Sequence, residues 1–318
     1  MTDVESAADY RAEMSACAEA IGLQPSRICQ PEDRWVDLNG IRFHYLDWGN
    51  DQLPHLVLLH GGSLTAHTWD MAALLLRDRY HVVAPDQRGH GDTGATPEER
   101  PDTDNDELML QDTEAFIEHL GYDQLALCGM SMGALNAIRY AARHPQRLAA
   151  IVIVDVGPAV MLEGRLEMEQ FRNETETMSE FEDFVRRAIK FNPQRRPEHL
   201  RYSLLHSLKP VDGGWTWKQH QQSAVARESA KAHWKVEREE RSRWMSEDLR
   251  AIKLPTLLMR GEISRMLSPG AARDAAALIE DGELAVIPRA GHSVQGDNPQ
   301  DFARVLDDFL TRRLARTE

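Results

Sequence analysis

Short apolar runs that end in Gly, Pro or Asp recur along the chain. They read HLVLLHGG, YHVVAPD, QLALCGM, LAAIVIVDV, LPTLLMRG and GELAVIP. Runs without polar alternation suit strands that are covered on both faces, as in a parallel sheet flanked by helices. Stretches with helical spacing separate them, so the pattern predicts an α/β fold with a mostly parallel central sheet.

Two further patterns frame this alternation. RWVDLNGIRFHYLDWG alternates apolar residues on either side of Asn39-Gly40, a dipeptide that tolerates the positive φ of a tight turn, and predicts a hairpin. Near the C-terminus, Asn298 is a predicted cap and Pro299 suits the first turn of a helix. The apolar face of that helix comprises Phe302, Val305, Leu306, Phe309 and Leu310. Residues 1–32 are a predicted helical extension that lies against the main body or against another subunit.

Between residues 159 and 250 the pattern is helical and predicts no strand. Ser179 and Glu182 have the spacing of a capping box at the start of one helix. Four of the seven tryptophans also fall in this stretch. We therefore predict a helical cap over 159–250, inserted after the sixth strand, with 33–158 and 251–318 forming the core domain. The alternative is a set of helices that extend the core and use the same aromatic residues for packing.

Charge and cysteine content narrow the classes of function. The net charge of -14 disfavours nucleic acid as a partner, because an acidic chain repels phosphate. The sequence has neither a signal peptide nor an apolar run of transmembrane length, so we expect a cytoplasmic protein with no membrane contact. The 3 cysteines have no metal-ligand spacing, and no glycine pattern fits a dinucleotide site. We therefore expect no cofactor and no metal.

The most specific chemical signal is a G-x-S-x-G motif at Gly129, Ser131 and Gly133. An apolar strand precedes it and a helical pattern follows at once. Small residues on both sides let the chain turn sharply, which holds the serine exposed above the N-terminus of the helix. That helix end stabilises developing negative charge. The motif predicts Ser131 as a nucleophile.

Two other motifs supply the partners that a serine nucleophile needs. HGGS at 60–63 follows a strand, and its backbone can approach a tetrahedral oxyanion closely. We expect the amides of Gly62 and Met132 to form the oxyanion hole. His292 follows the last strand in a glycine-containing loop, where an imidazole could take the proton of Ser131.

These three motifs, in this order, resemble the α/β-hydrolase superfamily. The resemblance covers roughly residues 33–314 and extends to DQRGHGDT at 86–93 and DVGP at 155–158. It implies a mostly parallel sheet, a helical cap after the sixth strand, and a catalytic triad of serine, acid and histidine. Ser131 matches the nucleophile of the family and His292 matches the base.

The acid of the triad departs from the usual pattern. In relatives with this type of seventh-strand motif, the acid usually stands near the position that Arg265 takes here. An arginine cannot accept a hydrogen bond from imidazole or stabilise an imidazolium. The usual triad is therefore broken at this position.

Three resolutions are open. Asp155 ends the sixth strand, where haloalkane dehalogenases carry their acid, although it could equally belong to a DVGP turn. Glu262 is an alternative acid, and an ion pair with a neighbouring arginine explains it as well. Asp297 reads better as part of a helix start. A chain with no acid at all would be a slow enzyme or a ligand-binding protein.

The sequence thus predicts a cofactor-free serine hydrolase acting on a small, largely apolar ester or lactone. A C–C bond hydrolase of ring-fission diketones uses the same serine and histidine and remains an alternative. So does a ligand-binding receptor, or a degraded hydrolase without a functional acid. Arg165, Arg172 and Arg201 are candidates to contact a substrate carboxylate, although exposed faces of cap helices explain them equally well. A homodimer is possible.

Overall fold

The computed structural model describes residues 3–95, 105–161, 164, 166, 170, 177–220 and 224–314, with the side chains of 3–9, 105 and 224–237 left aside. Its strands are β1 (Glu32–Leu38), β2 (Ile41–Asp47), β3 (His55–Leu59), β4 (His81–Pro85), β5 (Leu125–Met130), β6 (Leu148–Val154), β7 (Thr177–Met178), β8 (Leu208–Val211), β9 (Gly214–Trp217), β10 (Thr256–Gly261) and β11 (Gly282–Ile287). Eight strands form one sheet in the order β1-β2-β4-β3-β5-β6-β10-β11. The pairs that involve β1 and β2 are antiparallel, and the other pairs of this sheet are parallel.

Helices flank the sheet and fill the connections between strands. They are α1 (Asp3–Ala20), α2 (Asp70–Leu76), α3 (Asn105–Leu120), α4 (Met132–Arg143), α5 (Phe181–Phe191), α6 (Pro197–Ser207), α7 (Ala224–Ala251), α8 (Pro269–Ala277), α9 (Val294–Asp297) and α10 (Pro299–Leu314). Short 3-10 helices span Ala66–Trp69 and Pro145–Arg147. Among the described residues, no helix is both long and apolar enough to cross a membrane.

The central strands are buried on both faces, as their unbroken apolar runs predict. Successive side chains of β3 divide between two clusters: Leu56 and Leu58 pack on one side of the sheet, Val57 and Leu59 on the other. Helices α2 and α10 cover the first side, and α3, α4 and α8 cover the second. The predicted α/β fold with a mostly parallel sheet is confirmed.

The two local signals at the ends of the core are also correct. β1 and β2 pair across Asn39 and Gly40, whose φ values of 51° and 79° fit the tight turn. The side chain of Asn298 accepts a hydrogen bond from the backbone N–H of Asp301 at 3.2 Å, which caps α10. One face of α10 buries Phe302, Leu306, Phe309 and Leu310.

The insertion between β6 and β10 differs from the prediction, because it contains strands. β7, β8 and β9 form a three-stranded antiparallel sheet in the order β7-β9-β8. Asp212 and Gly213 connect β8 to β9, and Gly213 has a φ of 83°. Strands of two to four residues are too short for alternation to show, and the Asp-Gly turn was their remaining signal. The capping box is also wrong: no side chain caps α5, which follows Glu180.

Aromatic residues of the insertion pack within it or onto the core. Trp215 lies edge to face against Phe181 and Trp217 against Phe184, each with ring centroids 5.4 Å apart. Trp244 of α7 packs beside α4, where the guanidinium of Arg139 lies 4.1 Å from its ring centroid. Trp234 lies outside the described side chains, as do Arg165 and Arg172. Arg201 pairs with Glu182.

The N-terminal helix lies against the insertion. α1 packs on α6, and its Met14 and Cys17 are buried in the core cluster. Tyr10 donates a hydrogen bond to the buried carboxylate of Asp70 at 2.9 Å, and its ring stacks near that of Tyr202. The extension therefore contacts both the insertion and the core of its own chain.

Candidate active site

Ser131 stands between β5 and α4 in a strained turn. Its φ of 50° and ψ of -113° lie in a region that residues other than glycine rarely adopt, and such strain is typical of functional sites. A Cβ on Gly129 would lie 2.3 Å from the carbonyl oxygen of Gly133, and one on Gly133 only 2.2 Å from that of Leu59. The two glycines of the motif are therefore required for α4 to pack this closely on the strands.

The HGGS loop after β3 lies beside this turn. A Cβ on Gly61 would come within 3.3 Å of the Cβ of Ser131, and one on Gly62 would meet the sulfur of Met132 at 3.9 Å. The residues predicted to supply the oxyanion hole, Gly62 and Met132, thus come from two segments that the fold brings together. His60 is buried and accepts a hydrogen bond from the amide of the residue after Asp86 at 2.9 Å. Burial lowers the pKa of His60, which therefore orients the loop as a neutral ring.

His292 lies in the loop between β11 and α9, which we call the histidine loop (residues 288–293). Its Nδ1 is 2.8 Å from Oδ2 of Asp155, so Nδ1 carries a proton and donates a hydrogen bond to the carboxylate. In the neutral ring Nε2 is then the acceptor. Nε2 is buried and has no hydrogen-bond partner among the described residues. It is therefore available to take a proton, although Ser131 makes no hydrogen bond to it in this structure.

Asp155 follows β6 with a φ of 53°, and its side chain is fully buried. Besides His292, the carboxylate accepts hydrogen bonds from the backbone N–H of Gly261 at 3.1 Å and from the hydroxyl of Ser264 at 2.5 Å. Three donors thus satisfy a charge that would be costly to bury alone. These hydrogen bonds also fix the orientation of the carboxylate toward the imidazole of His292.

The end of β10 packs directly on the histidine loop. A Cβ on Gly261 would lie 2.0 Å from the carbonyl oxygen of Gly291, so only glycine fits there. The N–H of Ile263 also donates to the carbonyl of Ala290 at 3.0 Å. These contacts fix the backbone of the loop within hydrogen-bonding reach of β10.

The other acid candidates stand elsewhere. The carboxylate of Glu262 is exposed and accepts a hydrogen bond from the N–H of Arg289 at 2.8 Å, so it caps the loop backbone instead of holding the imidazole. Arg265 is exposed, whereas the buried Ser264 contacts Asp155. In this chain the residue after β10 that contacts Asp155 is therefore 264 and not 265.

The sequence did not predict that Ser264 supports Asp155 or that Asp297 contacts the histidine loop. Asp297 ends α9, and its Oδ2 accepts a hydrogen bond from the N–H of Gly291 at 2.8 Å, next to His292. The pattern DNP around it is a normal helix-start signal, and this contact depends on how the loop folds back. No local spacing could have indicated it.

One group of side chains with metal-ligand chemistry consists of His67, Asp70 and His206, whose ligand atoms lie within 4.8 Å of one another. The two imidazoles are stacked, with centroids 3.9 Å apart and planes at 22°, whereas a shared ion would have to lie in both ring planes. Oδ2 of Asp70 accepts hydrogen bonds from Tyr10 at 2.9 Å and Tyr202 at 2.5 Å. The arrangement fits a hydrogen-bonded junction better than a metal centre.

A second group consists of His44, Asp86 and Asp92. His44 places Nδ1 2.8 Å from Asp86 and Nε2 2.9 Å from Asp33. Burial opposes its protonation, but the hydrogen bonds and charges of both carboxylates raise the pKa of His44 to about 9. At neutral pH both ring nitrogens then carry protons and offer no lone pair to a metal.

Comparison with known proteins agrees with this architecture. A 2-(acetamidomethylene)succinate hydrolase from Mesorhizobium japonicum is 26% identical over 288 residues, covering 87% of this chain and 94% of the relative. The crystal structure of an E-2-(acetamidomethylene)succinate hydrolase superposes with a TM-score of 0.74 at 22% identity, covering 88% of this chain and 99% of that one, which is a likeness of fold.

Relatives with other activities match at similar levels. An esterase from Mycobacterium tuberculosis is 28% identical over 84% of this chain and 86% of its own length. A 2-hydroxy-6-oxo-6-(2'-aminophenyl)hexa-2,4-dienoic acid hydrolase from Metapseudomonas resinovorans is 24% identical over 88% of this chain and 91% of its own. The family model described as alpha/beta hydrolase fold matches residues 54–299. The chain therefore belongs to the α/β-hydrolase fold family.

Proposed function

We propose that the protein is a cofactor-free serine hydrolase that cleaves a carboxylic ester or lactone through an acyl-enzyme on Ser131. The observation that carries this proposal is the 2.8 Å hydrogen bond between Nδ1 of His292 and the buried carboxylate of Asp155. It supplies the acid that Arg265 does not. With it, a nucleophile, a base and an orienting acid occur in the chain order Ser131, Asp155 and His292, which is the order of the family.

Each group has a defined step in the proposed reaction. Nε2 of His292 takes the proton of Ser131 as its oxygen attacks the carbonyl carbon. Asp155 keeps the proton of the imidazole on Nδ1 and stabilises the imidazolium that forms. His292 then gives its proton to the leaving alcohol. Water, activated by the same nitrogen, attacks the acyl-enzyme and releases the acid.

The tetrahedral oxyanion needs donors that are fixed in advance. We assign this role to the backbone N–H groups of Met132 and Gly62. The first residue of a helix has no intrahelical partner for its N–H, and the adjacent dipole favours negative charge. A Cβ on Gly62 would lie 3.9 Å from the sulfur of Met132, and this closeness supports the pairing of the two segments.

A C–C bond hydrolase is the second candidate. It is supported by the matched relative from Metapseudomonas resinovorans, whose name gives it a dienoic acid substrate. The described tryptophans of the insertion pack within it or on α4, so they do not support the expectation of a largely apolar substrate. The apolar character of the substrate and the possible homodimer stay predictions.

The test is hydrolysis of short p-nitrophenyl esters by wild type and by Ser131→Ala, with labelling by a fluorophosphonate probe. Loss of the nucleophile should lower kcat on the order of 10⁶-fold and abolish labelling. Circular dichroism should show that the variant is folded. An active wild type that keeps its rate in Ser131→Ala contradicts the proposal. A wild type that neither hydrolyses esters nor labels favours a binding protein.

A further inference from the structure

One buried carboxylate links the insertion to the histidine loop. Oδ1 of Asp297 lies 2.8 Å from Nε and 2.7 Å from Nη2 of Arg195, and 3.0 Å from Nδ2 of Asn192, both in the turn between α5 and α6. Its Oδ2 accepts the N–H of Gly291 at 2.8 Å. Donors from the insertion and from the residue before His292 therefore meet on the same side chain.

The residues around this carboxylate are closely packed. A Cβ on Gly296 would lie 2.8 Å from Cζ of Arg195, so the guanidinium rests directly on the backbone of α9. A Cβ on Gly291 would lie 3.1 Å from Oδ2 of Asp297. Nη2 of Arg195 is also 3.5 Å from the carbonyl oxygen of Ser293. The arginine thus contacts the chain on both sides of the turn that follows His292.

The charges of this pair depend on each other. The side chain of Asp297 is 1% exposed and that of Arg195 is 8% exposed. Because an unpaired buried charge is strongly unfavourable, removing either partner forces the other toward water. Without Arg195, Asp297 keeps only Asn192 and the N–H of Gly291 as donors, and a shift of its carboxylate toward water would pull on α9 and the histidine loop. His292 would move with them, while its partner Asp155 stays at the end of β6.

We propose that Arg195 and Asp297 are positioning residues that hold His292 between Asp155 and Ser131. The inference rests on the proposed function of His292 as the base. It makes the turn between α5 and α6 part of the catalytic machinery, although no side chain of this turn needs to touch the substrate. Misplacement of a reacting group by about 1 Å lowers rates by about 10²-fold, so the geometry of the loop controls kcat.

The experiment compares this pair with a matched pair elsewhere. Arg88 donates from Nε and Nη2 to Asp112 at 2.6 and 2.7 Å, and both side chains are 6% exposed. That pair joins the loop after β4 to α3. The variants are Arg195→Met and Asp297→Asn, singly and combined, with Arg88→Met and Asp112→Asn as controls.

In the Arg195 and Asp297 variants we expect kcat to fall by about 10- to 100-fold while KM changes less than about threefold. The double variant should be no worse than the poorer single one, since both remove the same contact. Control variants of comparable thermal stability should keep kcat within about twofold. Unchanged kcat in folded Asp297→Asn, or an equal fall in the controls, overturns the proposal.

A second readout separates this inference from the proposed function. In protein labelled with ¹⁵N-histidine, the Nδ1 proton of His292 is identified as the signal lost in His292→Gln. The signal should shift or broaden in Asp297→Asn and stay in place in Asp112→Asn. A wild type without esterase activity would refute the proposed function and leave this test intact. An unmoved signal in Asp297→Asn would refute the positioning role.

Discussion

The ends of β6 and β10 are neighbours at the same edge of the sheet, and they contribute to the site in opposite ways. The strands are parallel, with Val154 paired to Met259, and the N–H of Asp155 donates to the carbonyl of Met259 at 2.8 Å. β6 ends in a carboxylate that holds His292, whereas β10 is followed by a serine that supports this carboxylate. In the proposed mechanism the site requires a carboxylate at this corner of the sheet, and the contact between the two side chains means that either strand end could supply it.

The sharpest test of the comparison is Asp155→Asn. An amide in place of the carboxylate cannot stabilise an imidazolium and favours the wrong tautomer, so kcat for p-nitrophenyl esters should fall about 10⁴-fold. Steady-state kinetics on protein with an unchanged circular dichroism spectrum gives the answer. A nearly silent Asp155→Asn would mean that the acid of the triad is another residue.

Exchanging the two residues tests whether either strand end can carry the charge. Asp155→Ser should be as inactive as Asp155→Asn. Adding Ser264→Asp to Asp155→Ser should restore about 10²-fold of the lost kcat, because the two side chains are in contact, with Oγ 2.5 Å from the carboxylate. Ser264→Asp alone is the control, and the two adjacent carboxylates should make it less active than wild type. No recovery in the double variant would tie the acid to β6.

A smaller effect is expected from Ser264→Ala. The hydroxyl donates to a buried carboxylate, and hydrogen bonds to charged groups contribute about 1.5–3 kcal/mol. Because Gly261 and His292 still donate to Asp155, we expect a loss near the lower limit, about 10-fold in kcat/KM. Ser268→Ala, which removes a capping serine of α8, is a matched control for the loss of a hydroxyl. Equal losses in the two variants would make the effect structural.

The smallest effect belongs to Glu262→Gln. The side chain is exposed, and a glutamine oxygen can still accept the hydrogen bond from the N–H of Arg289. We expect kcat/KM within about twofold of wild type and little change in stability. A fall in kcat/KM by orders of magnitude would mean that Glu262, after β10, is the acid and that Asp155, after β6, is not.

The sequence predicted most of the fold because its signals are local. Strands covered on both faces leave unbroken apolar runs, and the Asn39-Gly40 turn lies between two strands of seven residues. The same kind of turn at Asp212-Gly213 was missed, because strands of four residues give too little pattern to support it. The length of the flanking strands, more than the residues of the turn, decided which hairpin could be recognised.

The candidate site also contains features with a local sequence signal and features without one. Ser131 stands in a motif of consecutive residues and could be located to the residue. The partners of His292 could only be proposed, because Asp155 is 137 residues away and becomes its neighbour through the order of strands. The contact of Arg195 with Asp297 spans 102 residues and left no sequence signal. Contacts of this kind depend on tertiary packing.

The docking of α1 on α6 has a consequence for how the chain is made. α1 is synthesised well before its partner α6, which is complete only after Ser207. An isolated helix of about this length is marginal in water, since most helical stability in proteins comes from packing. Tyr10 also needs Asp70 and Tyr202 together before its hydrogen bond and ring contact can form. α1 is therefore translated long before it can reach its native place.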